Sequence, residues 1–202
     1  MKIKKEVGAS LIELVITVGI FTILMPALLF FLLTLYENFY FITGYDTAIL
    51  NGQKTLQRMV GEIRQGRQAE NGAYAIVDAS DQSFTFYANI DSDDDVERVR
   101  YSLSGIDIIR GIIEPTGDPP TYIVGSEATT TINSTVRNNA TPIFYYYNDN
   151  YAGTSTPLTT PVTPSDVRYV EISLYIDDDI TTSPTSTIFS SAAQIRGLKN
   201  NL

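Results

Sequence analysis

From Leu11 to Leu35 the chain reads LIELVITVGIFTILMPALLFFLLTL, twenty-five residues in which Glu13 is the sole charge. A helix needs roughly 20 apolar residues to cross a bilayer, so the run predicts a membrane segment, and whatever follows must fold on one side of it. A cleavable secretory signal has an apolar region of about 7–15 residues with a small-x-small cut site behind it. No such site follows a run of that length here. Lys2, Lys4 and Lys5 precede the run, whereas Glu37 and Asp46 are the first charges after it. The positive-inside rule then puts the N-terminus in the cytoplasm and the chain beyond about residue 36 outside it.

The 202 residues suffice for one domain of ordinary size plus this appendage. Cysteine and histidine are absent, which excludes disulfide frameworks, thiolate nucleophiles, Cys/His zinc sites and imidazole acid–base chemistry. Fourteen Lys and Arg stand against twenty-three Asp and Glu, a net charge of −9. That is the wrong sign for holding a phosphate backbone, so nucleic acid is not an expected partner.

Glu13 is out of place in a plain anchor. An ionisable group deep in hydrocarbon costs on the order of 3 kcal/mol and is functional by default. Around it stand Gly8-Ala9-Ser10-Leu11-Ile12-Glu13-Leu14, behind the basic leader Met1 to Val7. This arrangement resembles the prepilin family of type IV pilins and pseudopilins. The resemblance implies that a membrane-embedded prepilin peptidase cuts between Gly8 and Ala9, that the new N-terminus at Ala9 is a candidate for N-methylation, and that Glu13 pairs with the terminal amine of a neighbouring subunit in a filament. A buried carboxylate opposite a buried ammonium resolves a desolvation cost that neither group resolves alone. Ala9 stands where the family more often has Phe or Met, and Ser10 where Thr is usual. Cleavage would remove Lys2, Lys4, Lys5 and Glu6, leaving eleven basic and twenty-two acidic side chains and a net charge of −11.

Pro26 lies inside the apolar run, where it deletes a helical hydrogen bond and is expected to kink or loosen the helix. Farther on, Leu56, Met59, Val60 and Ile63 fall at i, i+3, i+4 and i+7, with Ile49 one heptad earlier and Gln57, Glu62 and Arg64 on other faces. That spacing predicts an amphipathic helix covering the protein's own sheet, continuing to Asn71-Gly72, where a glycine can cap it. Beyond Gly72, short runs rich in Tyr, Ile, Val and Thr predict strands over 84–90, 96–103, 106–113, 143–147, 167–176 and 187–195. In the fifth, Val170, Ile172, Leu174 and Ile176 alternate with Tyr169, Glu171, Ser173 and Tyr175, giving one inward face. The expected fold is α+β and type IV pilin-like, a long helix packed on an antiparallel sheet. The expected divisions are a leader at 1–8, a membrane or filament-core helix at 9–36, its amphipathic continuation at 37–71 and a β-rich head at 72–202.

The head also resembles the J-type minor pseudopilins and related minor pilins. The likeness lies in FTFYANIDSDDDVERVRYSL at 84–103, IIRGIIEPTGDPPTY at 108–122, TPIFYYYND at 141–149, VRYVEISLYID at 167–177 and the closing IRGLKNNL. Together the resemblances imply a non-enzymatic structural subunit of a type IV pilus or type II secretion pseudopilus. Its partners would be prepilin peptidase, other pilin or pseudopilin subunits, the membrane and an assembly platform. The alternative is a single-pass anchored module that binds carbohydrate or a surface partner.

Few other residues suggest chemistry. Asp91, Asp93 and Asp95 begin like an EF-hand loop, but Val96 occupies the place of the required glycine and Ser102 that of the bidentate glutamate. A solvated hairpin turn is the preferred reading, with Asp91, Asp93 and Asp95 the candidate ligands of a looser calcium site. Asp177-Asp178-Asp179 is a second acidic turn. The stretch Thr154 to Ser165, TSTPLTTPVTPS, cannot build a core and is expected to be an exposed loop. Tyr145, Tyr146, Tyr147 and Tyr151 could offer a stacking surface, although strand alternation must turn some of them inward. No phosphate loop, nucleophile elbow or carboxylate pair with a supporting base is present, so no catalytic residue is assigned and no cofactor beyond calcium is expected.

Overall fold

The computed structural model describes residues 10–91, 93–177 and 186–198. The chain divides into two compact units, residues 1–44 and 45–202. Helix α1 spans Leu11–Arg64; its residues up to Gly44 belong to the first unit and the remainder to the second.

In the first unit the helix is apolar on every side, and none of its described side chains is buried. Among the described residues, one span, Leu11–Glu37, is long and apolar enough to cross a membrane. Ser10 opens the helix, its carbonyl accepting the N–H of Glu13 at 3.0 Å and of Leu14 at 3.2 Å. The hydroxyls of Thr17, Thr22 and Thr34 donate to carbonyls four residues back, so these polar side chains enter an apolar run with their hydrogen bonds made locally. Helix α1 continues without a break through Pro26, so the expected loosening there does not take the form of an interruption.

The second unit is α+β, as expected. It holds the end of α1 and two antiparallel sheets, where one sheet was expected. The first sheet has the order β1(Ile76–Ala79), β2(Ser83–Ala88), β3(Glu97–Ser104), β4(Asp107–Ile113), β5(Ala128–Asn133); the second is β6(Phe144–Tyr147), β7(Tyr169–Ile176), β8(Thr187–Gln194). Six of the eight coincide with runs read from the sequence, to within a few residues at each end. Strands β1 and β5 do not. The first is four residues long, and the second, ATTTIN, exposes four of its six positions and carries no apolar alternation.

The amphipathic stripe folds inward as its spacing predicts, with Met59 and Ile63 fully buried, Val60 nearly so and Leu56 packed at the margin. Ala48, Gly52 and Thr55 extend the same face. A Cβ on Gly52 would lie 2.8 Å from Ile176 Cγ1, so this turn of the helix approaches β7 as only glycine permits. One core joins this face to Phe84, Phe86, Val99, Tyr101 and Ile108 of the first sheet and to Phe144, Tyr146, Val170, Ile172 and Leu174 of the second. The sheets are stitched by backbone bonds, Ile143 N–H and Phe144 N–H both donating to Asp81 O, and by the Tyr146 hydroxyl donating to Ser80 O at 2.7 Å.

The helix stops at Arg64, short of the expected Asn71-Gly72. Gly66 pairs with Ala88 at the end of β2, and the Arg67 N–H donates to Tyr87 O at 2.9 Å. A sheet partner therefore takes the chain before another helical turn can form. Gly72, at φ +82°, closes a small turn with Ala69 instead of capping the helix. The 66–75 segment then helps to cover the second face of β2, where Ala69, Tyr87 and Val96 form a small cluster. This is why five consecutive residues of β2 are buried.

Candidate functional site

The cleavage residues Gly8 and Ala9, with the rest of the basic leader, lie outside the described residues, as do Asp178 and Asp179. Glu13 is in the first turn of α1, on an exposed position. The free N–H groups and positive dipole end of a helix favour a carboxylate there. That is a local reason for an acidic residue at this position, and it operates whether or not a second chain is present.

The acidic segment separates into two parts. Asp91 Oδ1 accepts the N–H of Asp93 at 3.1 Å, Asp93 Oδ1 accepts the N–H of Asp95 at 3.0 Å, and Asn89 Nδ2 donates to Asp93 O at 2.6 Å. These are turn-forming bonds of the kind a hairpin connection needs. Of the expected trio, Asp91 belongs to a group of converging carboxylates among the described residues, where it is joined by Glu97 and Glu114. One carboxylate oxygen from each of these three lies within 4.8 Å of the others.

Sheet register builds this group. Arg98 pairs with Ile113 across β3 and β4, so Glu97 and Glu114 flank the same rung at the end of the hairpin, and the loop before β3 delivers Asp91. Glu97 shares the inward face of β3 with Val99 and Tyr101 and is itself fully buried. Its Oε2 accepts the Ile90 N–H at 2.8 Å, while its Oε1 has no hydrogen-bond partner among the described residues. Burial pushes the Glu97 carboxyl up from its ordinary value, and the charges of Glu114 and Asp91 push the same way. Glu114 is raised as well, by burial and by Asp91, Asp93 and Asp95.

A second charged centre ties α1 to the first sheet. Arg110 donates from Nη2 to Glu62 Oε1 at 2.8 Å and from Nε to Glu62 Oε2 at 3.0 Å, and the Tyr101 hydroxyl donates to Glu62 Oε2 at 2.6 Å. Glu62, placed by helical spacing off the apolar stripe, thus reaches the sheet. Burial and the neighbouring carboxylate hold the Tyr101 phenol far above its ordinary value, so it remains a donor. At the sheet margin Arg100 grips Glu127 with two 2.7 Å bonds. The hydrogen bond from Arg100 holds the Glu127 carboxyl below its ordinary value, outweighing partial burial. A Cβ on Gly111 would overlap the Glu127 carboxylate, so glycine on β4 leaves the room in which that pair forms.

The tyrosine run is more buried than strand alternation predicts, with Tyr146 and Tyr147 both buried and Tyr145 half-buried. Tyr146 is core, and Tyr147 donates its hydroxyl to Glu171 Oε2 at 2.7 Å. Tyr151 packs against both Tyr147 and Tyr169 in tilted ring contacts, with centroids 4.3 Å and 5.1 Å away. Tyr151 and Tyr169 line a shallow open cleft with Arg64, Gln194 and Arg196. The Pro/Thr/Ser-rich loop corrects its expectation in part. Leu158 and Val162 pack against the core, the Leu158 N–H donates to Tyr146 O at 2.8 Å, and the Thr160 hydroxyl donates to Asp81 Oδ1 at 2.6 Å. Two apolar residues and a hydroxyl are enough to seat a loop whose composition reads as solvated.

No family profile matches the sequence, and no curated protein matches it. Among solved structures, the chain is similar to one from the GspK-GspI-GspJ complex of the enterotoxigenic Escherichia coli type 2 secretion system. The TM-score is 0.45 at 10% identity, covering 74% of this chain and 98% of that one.

Proposed function

We propose that this chain is a pilin-like or pseudopilin-like structural subunit: cleaved by prepilin peptidase after Gly8, held in the cytoplasmic membrane with its head outside, and drawn by an assembly platform into a type IV pilus or type II secretion pseudopilus beside other subunits of the kind. The observation that carries the reading is the first unit. It is a membrane-length helix, apolar on every side, with one carboxylate in its first turn, behind a glycine and a basic leader. Such a surface is satisfied by lipid before assembly and by other helices after it. Glu13 supplies the charge that a neighbouring Ala9 amine, methylated or free, would meet.

The test is processing. In membranes of a peptidase-positive host, intact mass should show loss of residues 1–8 from the wild type and retention in Gly8→Val, because a branched side chain obstructs the close backbone approach that cleavage needs. Loss of the leader from the variant at the wild-type rate contradicts the proposal. The second reading, an anchored binding module, draws on the Tyr151–Tyr169 cleft with its flanking Arg64 and Arg196. An intact Met1 in mature membrane material favours it.

A further inference from the structure

We propose that Asp91, Glu97 and Glu114 form a calcium site that locks the β3–β4 hairpin to the loop preceding it. Three carboxylates with oxygens within 4.8 Å of one another repel when all are ionised, and a cation among them would relieve that repulsion. Exposed acidic groups often cluster with no ion, and Asp91 and Glu114 taken alone would mean little. Glu97 is what distinguishes this place. It is a fully buried side chain on the inward face of a strand, with one oxygen satisfied by the Ile90 N–H and the other, Oε1, unpartnered among the described residues. A buried acceptor left in that condition is costly unless something supplies positive charge.

Among the described residues, Arg100 and Arg110 form their ion pairs with Glu127 and Glu62, and Arg67 reaches the acidic loop at the Asp94 carbonyl, 3.5 Å away, which is not one of the three carboxylates. All three donors are hard oxygens, drawn from a loop and from two strand ends. This suits calcium, which accepts irregular oxygen shells completed by water, better than magnesium, which demands near-octahedral geometry. The ligand set differs from the one the Asp-x-Asp-x-Asp spacing suggests. Asp93 instead shapes the turn that carries Asp91. The site is a property of the folded head, so its test and the processing test fail independently.

The experiment uses the full chain in detergent micelles, stripped with chelator and titrated with calcium chloride alone by calorimetry, with thermal melting in parallel. Wild type is expected to bind one calcium per chain with a dissociation constant on the order of 10⁻⁴ to 10⁻³ M, as extracellular sites do, and to melt at higher temperature when loaded. Glu114→Gln changes an exposed residue and should leave the melting of the stripped protein intact while weakening calcium binding by about tenfold or more, in line with the loss of one ligand charge. Asp93→Asn should bind like wild type. Absence of calcium binding at millimolar concentration overturns the proposal, as does wild-type affinity in Glu114→Gln. Loss of binding in Asp93→Asn with Glu114→Gln unaffected would return the ligand set to the loop, and tighter binding of magnesium than calcium would contradict the choice of ion.

Discussion

The two stretches of α1 are built from similar residues and used in opposite ways. Between Leu11 and Glu37 the helix exposes Leu, Ile, Val and Phe on every side, with Phe30 at 74% and Leu24 at 59%. Between Ala48 and Ile63 it presents one apolar face, and Met59 and Ile63 on that face are fully covered. The second stretch has its partners within the chain, in two sheets that share a core with it. Among the described side chains of the first stretch none is buried, an apolar surface of the kind that lipid or other helices can satisfy. The second stretch buries its apolar face within its own unit, whereas the first keeps its apolar surface exposed.

Substitutions of matched chemistry in the two stretches should separate them most widely. Met59→Ala removes a buried side chain and is expected to destabilise the head by about 2–5 kcal/mol. Leu24→Ala, at an exposed position of the first unit, should leave head unfolding unchanged. Urea unfolding of the full chain in detergent, followed by tyrosine fluorescence, reads both. Equal losses would mean that the two stretches are one cooperative body and would break the comparison.

A smaller effect is expected where charge, not packing, joins the helix to the sheet. Arg110→Met removes the two bonds from Arg110 and leaves Glu62 with the Tyr101 hydroxyl donating to it. The Arg110 and Glu62 side chains are 16% and 13% exposed, so the loss should fall at about 2–3 kcal/mol, toward or below the low end for breaking a buried pair. The same unfolding assay checks it. An unchanged midpoint would show that the apolar stripe alone fixes the end of α1 on the sheet.

The smallest effect belongs to the sheet margin, at Arg100 and Glu127. Their side chains are 32% and 19% exposed, so Glu127→Gln should cost no more than about 1 kcal/mol at neutral pH. Because the Glu127 carboxyl is held below its unfolded value, the folded state binds fewer protons through that window. The contribution is fully present above the unfolded value and is lost as pH falls through the lowered one. Wild type and Glu127→Gln should therefore converge in stability on acidification. A gap that persists at acid pH would show that the variant acts through shape and not through charge.

Periodicity explains what could be read in advance. The apolar run, the stripe at Leu56, Met59, Val60 and Ile63, and the alternation of β7 each repeat a local pattern that burial reinforces. Strand β5 escapes because its threonines face solvent at the first sheet's edge, where no apolar alternation is required. The early end of the helix escapes because the decisive event, Gly66 meeting Ala88, is a tertiary contact. The acidic site shows the same limit. Spacing within 91–95 singles out residues that neighbour one another in the loop, whereas the group that converges depends on the β3–β4 register, which brings Glu114 beside Glu97. One clue was present in the sequence: Glu97 is in phase with Val99 and Tyr101, an acidic residue on the inward face of a strand. Glu62 gives less warning, since its partners Tyr101 and Arg110 are 39 and 48 residues away.

Glu13 gives the most direct test of the central claim, that the apolar helix exists to enter a filament. Glu13→Leu removes the one charge from the apolar run, so by transfer energetics the variant should insert at least as well as wild type. If the carboxylate meets a neighbouring Ala9 amine, the same change strands that ammonium in a low-dielectric bundle. The measurement is the amount of subunit in sheared filaments, or crosslinked to neighbouring subunits, relative to the amount in membranes. The account predicts normal processing and membrane abundance with reduced incorporation. Incorporation at the wild-type level would contradict it and leave Glu13 as a first-turn carboxylate serving its own helix.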